Sequence, residues 1–130
     1  MATILSVEDV PENQLLMRRK LARAGHAVLT ADNGVEAVAA ARNEPVDLIL
    51  MDLNMPVMDG FDATRILKSQ SATQHIPIIA VSAYVNLQAE AIAAGCDQFL
   101  GKPIDWSSLL RRIEGLLPPG SQGPALRSTP

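Results

Sequence analysis

Between Val46 and Gly60 the chain reads Val-Asp-Leu-Ile-Leu-Met-Asp-Leu-Asn-Met-Pro-Val-Met-Asp-Gly. Four apolar residues, Leu48 to Met51, run without a break into Asp52. A short continuous apolar run bounded by turn formers reads as a strand buried on both faces, as in a parallel sheet. Asn54, Pro56 and Asp59-Gly60 then break the pattern. Asp52 therefore falls where a central strand ends. In open α/β sheets, ligands bind at the carboxyl ends of strands. A carboxylate there either caps the loop or does chemistry, and this stretch alone leaves both open.

The remaining segments alternate in type. Ala2–Val7 is a first strand ending in Glu8-Asp9. Pro11 suits the first turn of a helix. Leu15, Leu16, Leu21 and Ala22 recur near helical spacing up to a stop at Gly25. Arg18, Arg19, Lys20 and Arg23 lie among them and read as a solvated face near the helix C-terminus. His26–Thr30 is a second strand, and Asn33 with Glu36 resembles a capping box before an alanine-rich helix, Val35–Arg42. Phe61–Lys68 is a helix capped by Asp59. Ile76–Val81 is a second fully apolar strand, and it runs into Ser82. Gln88–Ala94 is a short helix stopped by Gly95. Asp97–Leu100 is a fifth strand followed by Gly101-Lys102-Pro103, and Asp105 caps a last helix, Trp106–Leu117. His26 and His75 read as surface or strand-edge residues, since no second ligand lies at metal-binding spacing.

Five strands alternating with five helices imply a parallel sheet covered on both faces. With only 3% aromatic residues, the core must be built from Leu, Ile, Val, Ala and Met. A net charge of -3 argues against a nucleic-acid binder, which carries a basic stripe. One cysteine, Cys96, cannot form an internal disulfide. No apolar run reaches the ~18–20 residues a membrane span needs, and Glu8-Asp9 interrupts any signal-peptide core. A cytoplasmic protein is expected. From Pro118 to Pro130, prolines, glycines and small polar residues read as a tail or linker after one domain, residues 1–117.

In such a sheet, Glu8, Asp9, Asp52, Ser82 and Lys102 all fall at the carboxyl edge. Three carboxylates converging there repel, and a hard divalent cation such as Mg²⁺ is the natural compensation. A carboxylate can then act as nucleophile toward a phosphoryl group, with the cation and a lysine neutralising the phosphoryl oxygens.

Val7-Glu8-Asp9, the stretch from Asp47 to Gly60, Ser82-Ala83 and Gly101-Lys102-Pro103, in that order, resemble the receiver domain of two-component response regulators. The resemblance runs from about Thr3 to Leu117. It implies a flavodoxin-like, CheY-like α/β fold with strand order 2-1-3-4-5 and five flanking helices. It implies that Asp52 accepts a phosphoryl group from a histidine kinase or histidine phosphotransfer protein. Asp9, Asp52 and the Asn54 backbone carbonyl would bind Mg²⁺, with Glu8 acting mainly through a metal-bound water. Lys102 would pair with the phosphoryl group and Ser82 would hydrogen-bond it. Phe99 would be the switch aromatic, with core packing as its plain alternative. The Lys102-Pro103 bond would be cis. The segment from Ser82 to Lys102 looks shorter than the family pattern and lacks its frequent Gly-Asp pair. Tyr84, two residues past Ser82, departs from the family pattern; it could overhang the site and slow attack by water, with a surface loop aromatic as its plain alternative. The result is a phosphoacceptor signalling domain, not an enzyme, acting on a downstream protein through its helix 4–strand 5–helix 5 face. Three other readings are weaker. A haloacid-dehalogenase-type phosphatase needs an aspartate where Asn54 stands. A receiver-like module without phosphate turnover leaves the acidic set unexplained. A flavin binder would meet repulsion from the same carboxylates.

Overall fold

A computed structural model describes residues 2–53 and 58–117. The expectations for Asn54 and for the segment 118–130 lie outside the described residues. The elements run β1 (Thr3–Val7), α1 (Pro11–Arg23), β2 (Ala27–Ala31), α2 (Gly34–Asn43), β3 (Leu48–Asp52), α3 (Gly60–Ser69), β4 (Ile78–Ser82), α4 (Gln88–Ala94), β5 (Gln98–Gly101) and α5 (Trp106–Leu116), with a single 3₁₀ turn, Val85–Leu87, before α4. All strand pairs are parallel, and the order is β2-β1-β3-β4-β5.

Every residue of β3 and β4 is buried, as their unbroken apolar runs demand. Alternation along each strand splits the core in two. Ile4, Leu48, Leu50, Ile79 and Leu100 face α1 and α5, packing on Met17, Leu21, Leu109 and Ile113. Leu5, Ile49, Met51, Ala80 and Phe99 face α2, α3 and α4. Pleat parity therefore turns Asp52 toward the α1/α5 side with Leu50, and Ser82 toward the opposite side with Ala80. The expected caps are present. Asn33 Oδ1 accepts from Glu36 N at 2.9 Å, Asp59 Oδ1 from Asp62 N at 2.9 Å and Asp105 Oδ1 from Ser108 N at 3.1 Å. Gly95 closes α4 at φ 117°, a conformation that favours glycine.

Three expectations need correction. Leu15 and Leu16 do not form the buried stripe of α1; they are 46% and 47% exposed, and Met17 and Leu21 are buried instead. β4 starts at Ile78 rather than Ile76, because Pro77 has no N–H for the ladder, and it runs through Ser82, which pairs with Gly101. His26 is no surface residue. It lies one position before β2 and is only 6% exposed, with a buried Nδ1 that has no hydrogen-bond partner among the described residues.

Burial pushes the His26 pKa below its ordinary value of 6.5, with a smaller opposing pull from Glu114. The native state therefore resists a proton that the unfolded chain accepts. The stability this contributes is complete above the unfolded value and is lost as pH falls below it. The urea midpoint should fall between about pH 7.5 and about pH 5.5, spanning the ordinary histidine value. That fall should shrink in His26→Gln; an equal fall in both proteins would show that other groups dominate.

Candidate functional site

The switch in winding direction lies between β1 and β3. From β1 the chain passes outward to β2, then crosses back to β3 on the other side. The carboxyl ends of β1 and β3 thus open a crevice, the place where such sheets bind ligands.

Glu8 follows β1 directly. Its backbone N–H donates to Ala31 O at 3.1 Å, extending the ladder by one residue. Its carbonyl accepts from Gln14 Nε2 at 2.9 Å, and the same amide donates to Asp32 Oδ1 at 2.9 Å. Gln14 thereby ties the end of β1 to the loop after β2. Neither Glu8 nor Asp9 caps α1: the N-cap residue is Val10 and makes no side-chain cap bond. Glu8 Oε2 accepts the Val10 N–H at 3.3 Å.

Asp52 closes β3 and is 8% exposed, as is Glu8, while Asp9 is at the exposed rim. One carboxylate oxygen from each of the three lies within 4.8 Å of the others, the one such acidic cluster among the described residues. Lys102 reaches in from the end of β5, with Nζ 3.5 Å from Glu8 Oε1 and 3.7 Å from Asp52 Oδ2. Its backbone N–H donates to Ser82 O at 2.9 Å, which fixes where the side chain starts. The Lys102-Pro103 peptide is cis.

The balance is three negative charges against one positive. Like charges near 4.8 Å repel by roughly 3 kcal/mol per pair at an effective dielectric of about 20. One lysine offsets only part of that. The donor set is all carboxylate oxygen, the hard type magnesium prefers. With bond lengths of about 2.1 Å, two oxygens on one magnesium ion lie at most about 4.2 Å apart. The three oxygens lie within 4.8 Å of one another, so at most a small contraction or one water-bridged carboxylate is needed. The residues fit the ion.

Ser82 is buried, and its Oγ accepts from the Tyr84 N–H at 3.0 Å. Accepting leaves the hydroxyl hydrogen able to donate elsewhere. Tyr84 is 59% exposed. Phe99 lies on the other face of the sheet from Asp52, opposite Ala80 and within the α2–α4 core. A cavity of about 270 Å³ opens beside Asp52, Glu8 and Lys102, and its lining includes Asn13, Leu16 and Trp106.

Gly60, read from the sequence only as a turn former, carries a steric role. A Cβ there would collide with the Asp52 carbonyl oxygen and come within 2.7 Å of Leu53 Cα. The first turn of α3 thus packs directly on the end of β3, and Gly60 N donates to Leu53 O at 3.2 Å. The Asp-Gly pair at 59–60 was its only sequence signal.

Fold and site together define a doubly wound parallel α/β domain with an acidic cluster at its switch point whose carboxylates could hold a metal ion. The response regulator receiver domain family matches residues 4–114, and this chain belongs to it. It is 38% identical over 120 residues to the protein PilH of Pseudomonas aeruginosa, covering 90% of this chain and 98% of PilH. It is 38% identical to the response regulator PleD of Caulobacter vibrioides, where the match covers 88% of this chain but 26% of PleD. Among solved structures, the receiver domain of the sensor histidine kinase PA1611 of Pseudomonas aeruginosa, with a magnesium ion in its active site cleft, superposes with a TM-score of 0.82 at 36% identity. That match covers 88% of this chain and 96% of the other. The domain is a signalling domain of two-component systems. No helix among the described residues is long and apolar enough to cross a membrane.

Gly60→Ala should destabilise the fold by about 1–3 kcal/mol, the range for overpacking a close-packed site. Urea unfolding of the two proteins checks this; equal midpoints would mean the β3–α3 contact yields freely.

Proposed function

We propose that Asp52 accepts a phosphoryl group, with Mg²⁺ as the ion that the acidic cluster holds. One observation carries the reading: a buried carboxylate at the end of a central strand, with two further carboxylates within 4.8 Å and a lysine ammonium 3.7 Å away. Asp9, Asp52 and the Asn54 backbone carbonyl would hold the ion, with Glu8 acting through a water. When bound, the ion neutralises the carboxylates and draws charge from the phosphoryl oxygens. Lys102 is part-buried and already paired with Asp52. It would follow the phosphoryl group and offset its charge. Ser82 would donate its hydroxyl hydrogen to a phosphoryl oxygen and move toward it.

Phe99 is the aromatic that would respond; it sits opposite small Ala80 and shares its core with Ala91 and Ala94. Lacking a hydroxyl, it has no hydrogen-bonded outward state. The altered surface would be that of α4, β5 and α5, read by a downstream protein. The short α4, seven residues after one 3₁₀ turn, leaves Val85 and Ile92 exposed on that surface. The donor would be a histidine kinase or histidine phosphotransfer protein in the cytoplasm, with no nucleic acid or membrane involved. Residues 1–117 form the receiver unit in this reading, with 118–130 a tail or linker. Support comes from relatives of both sizes, PilH at full length and PleD as one part.

Incubation with Mg²⁺ and acetyl phosphate, followed by intact mass, should give one phosphate adduct that is absent in Asp52→Asn. No adduct with any donor, or one retained in the variant, would remove Asp52 from the role. Tyr84 would shield the acyl phosphate, so Tyr84→Ala should lose phosphate faster than the wild type in a chase without donor. An unchanged rate sinks the shielding role and leaves the acceptor role standing.

A further inference from the structure

We propose that Gln14 is a positioning residue for the cation site: it clamps the Glu8-Asp9 segment to the loop after β2 and so sets how tightly the three carboxylates take Mg²⁺. The proposal rests on the reading of that cluster as a magnesium site. Gln14 starts from a fixed place, since its backbone N–H donates to Val10 O at 3.0 Å and opens the helical ladder of α1. Its Nε2 lies 2.9 Å from Glu8 O, 2.9 Å from Asp32 Oδ1 and 3.4 Å from Ala31 O. Three acceptors around one end of the amide fix its orientation, because only the NH₂ end can donate to them. The two shorter bonds use its two hydrogens.

The far anchor of this clamp is itself tied down. Asp32 N–H donates to Glu36 Oε1 at 2.9 Å, and Glu36 N–H donates to Asn33 Oδ1 at 2.9 Å, so Asp32 is joined to the first turn of α2. Two residues on, Gly34 N donates to Met58 O at 3.1 Å, and a Cβ at Gly34 would come within 2.6 Å of that same oxygen. The loop after β2 gives no residue to the acidic cluster. It nevertheless touches the segment before α1 through Gln14 and the segment before α3 through Gly34. Gln14 grips Glu8 by its carbonyl and leaves the carboxylate to other partners: Oε1 lies 3.5 Å from Lys102 Nζ, and Oε2 accepts from Val10 N–H. The clamp thus holds the ligand-bearing backbone against mutual repulsion without occupying a ligand oxygen.

Charge and positioning predict opposite orders of affinity at this position. Gln14→Glu adds a negative charge near the cation, and Coulomb attraction alone would tighten binding. An ionised carboxylate only accepts hydrogen bonds, however, and here it would face three acceptors and push the segment away. Gln14→Lys adds a positive charge, which alone would weaken binding, yet its ammonium donates to the same oxygens. Gln14→Met keeps a similar size and supplies neither charge nor donor.

Titration of the full chain with Mg²⁺ alone, followed by backbone amide chemical shifts at about pH 8, where a glutamate is ionised, gives a dissociation constant for each protein. Gln14→Met and Gln14→Glu should each bind Mg²⁺ about tenfold more weakly than wild type, the low end for loss of a partner that orients a metal ligand. Gln14→Lys should bind more tightly than either. Wild-type affinity in Gln14→Met, tighter binding in Gln14→Glu than in wild type, or Gln14→Lys no tighter than Gln14→Met overturns the proposal. If Gln14→Glu does not fold, the comparison of Gln14→Lys with Gln14→Met decides, since charge favours the methionine variant and positioning the lysine one. A wild-type chain with no saturable shift at Glu8, Asp9 and Asp52 would instead overturn the magnesium reading, and this proposal with it.

Discussion

Mutual repulsion among Glu8, Asp9 and Asp52 is the constraint on which the site depends. Carboxylate oxygens within 4.8 Å of one another at a sheet edge are tolerable only where something positive is close. Lys102 supplies one charge from β5, two strands away from β3 in the sheet. The geometry works because β3 and β4 are buried on both faces, which fixes their register against β1 and β5. A slip of one residue in β3 would turn Asp52 to the α2–α4 face and break the cluster. The apolar run Leu48–Met51 is thus both core and positioning device.

Carboxylates flanking the strands divide by edge, and this separates structural from chemical roles. At the amino edge, Asp47 Oδ2 accepts the Thr3 N–H at 2.8 Å, and Asp97 Oδ2 accepts the Ile78 N–H at 2.8 Å and an ammonium hydrogen of Lys68 at 3.1 Å. Each stitches the start of a neighbouring strand. At the carboxyl edge, Glu8 and Asp52 meet each other and Lys102 instead. Residue type alone does not distinguish the two groups. Position relative to strand direction does, because parallel strands place all their carboxyl ends on one side.

This is why the site was largely legible in the sequence. Once five strands alternate with five helices, Glu8, Asp9, Asp52, Ser82 and Lys102 must share one edge, whatever the packing detail. The expected caps at Asn33, Asp59 and Asp105 were legible for a similar reason, since capping is a local hydrogen bond. His26, Leu16 and Gly60 were not. Their roles depend on which surface of one element meets another. His26 is buried because the chain turns under α1 before β2. Gly60 matters because α3 begins against the Asp52 carbonyl. Periodicity within a single segment carries neither fact, and the run Leu15-Leu16-Met17 offers adjacent apolar faces with no local preference among them.

The placement of Leu16 has a consequence near the site. Leu16 is half exposed and, with Trp106, lines the cavity beside Asp52. Met17 and Leu21 anchor the helix, and Leu16 stands between core and solvent. Lys20, on the next turn, meets Trp106 across the gap at 5.5 Å. The same helix therefore fixes one side of the sheet and shapes the approach to Asp52. A change in how α1 seats, even by a fraction of a turn, would alter access to the carboxylate without touching any charged residue of the cluster.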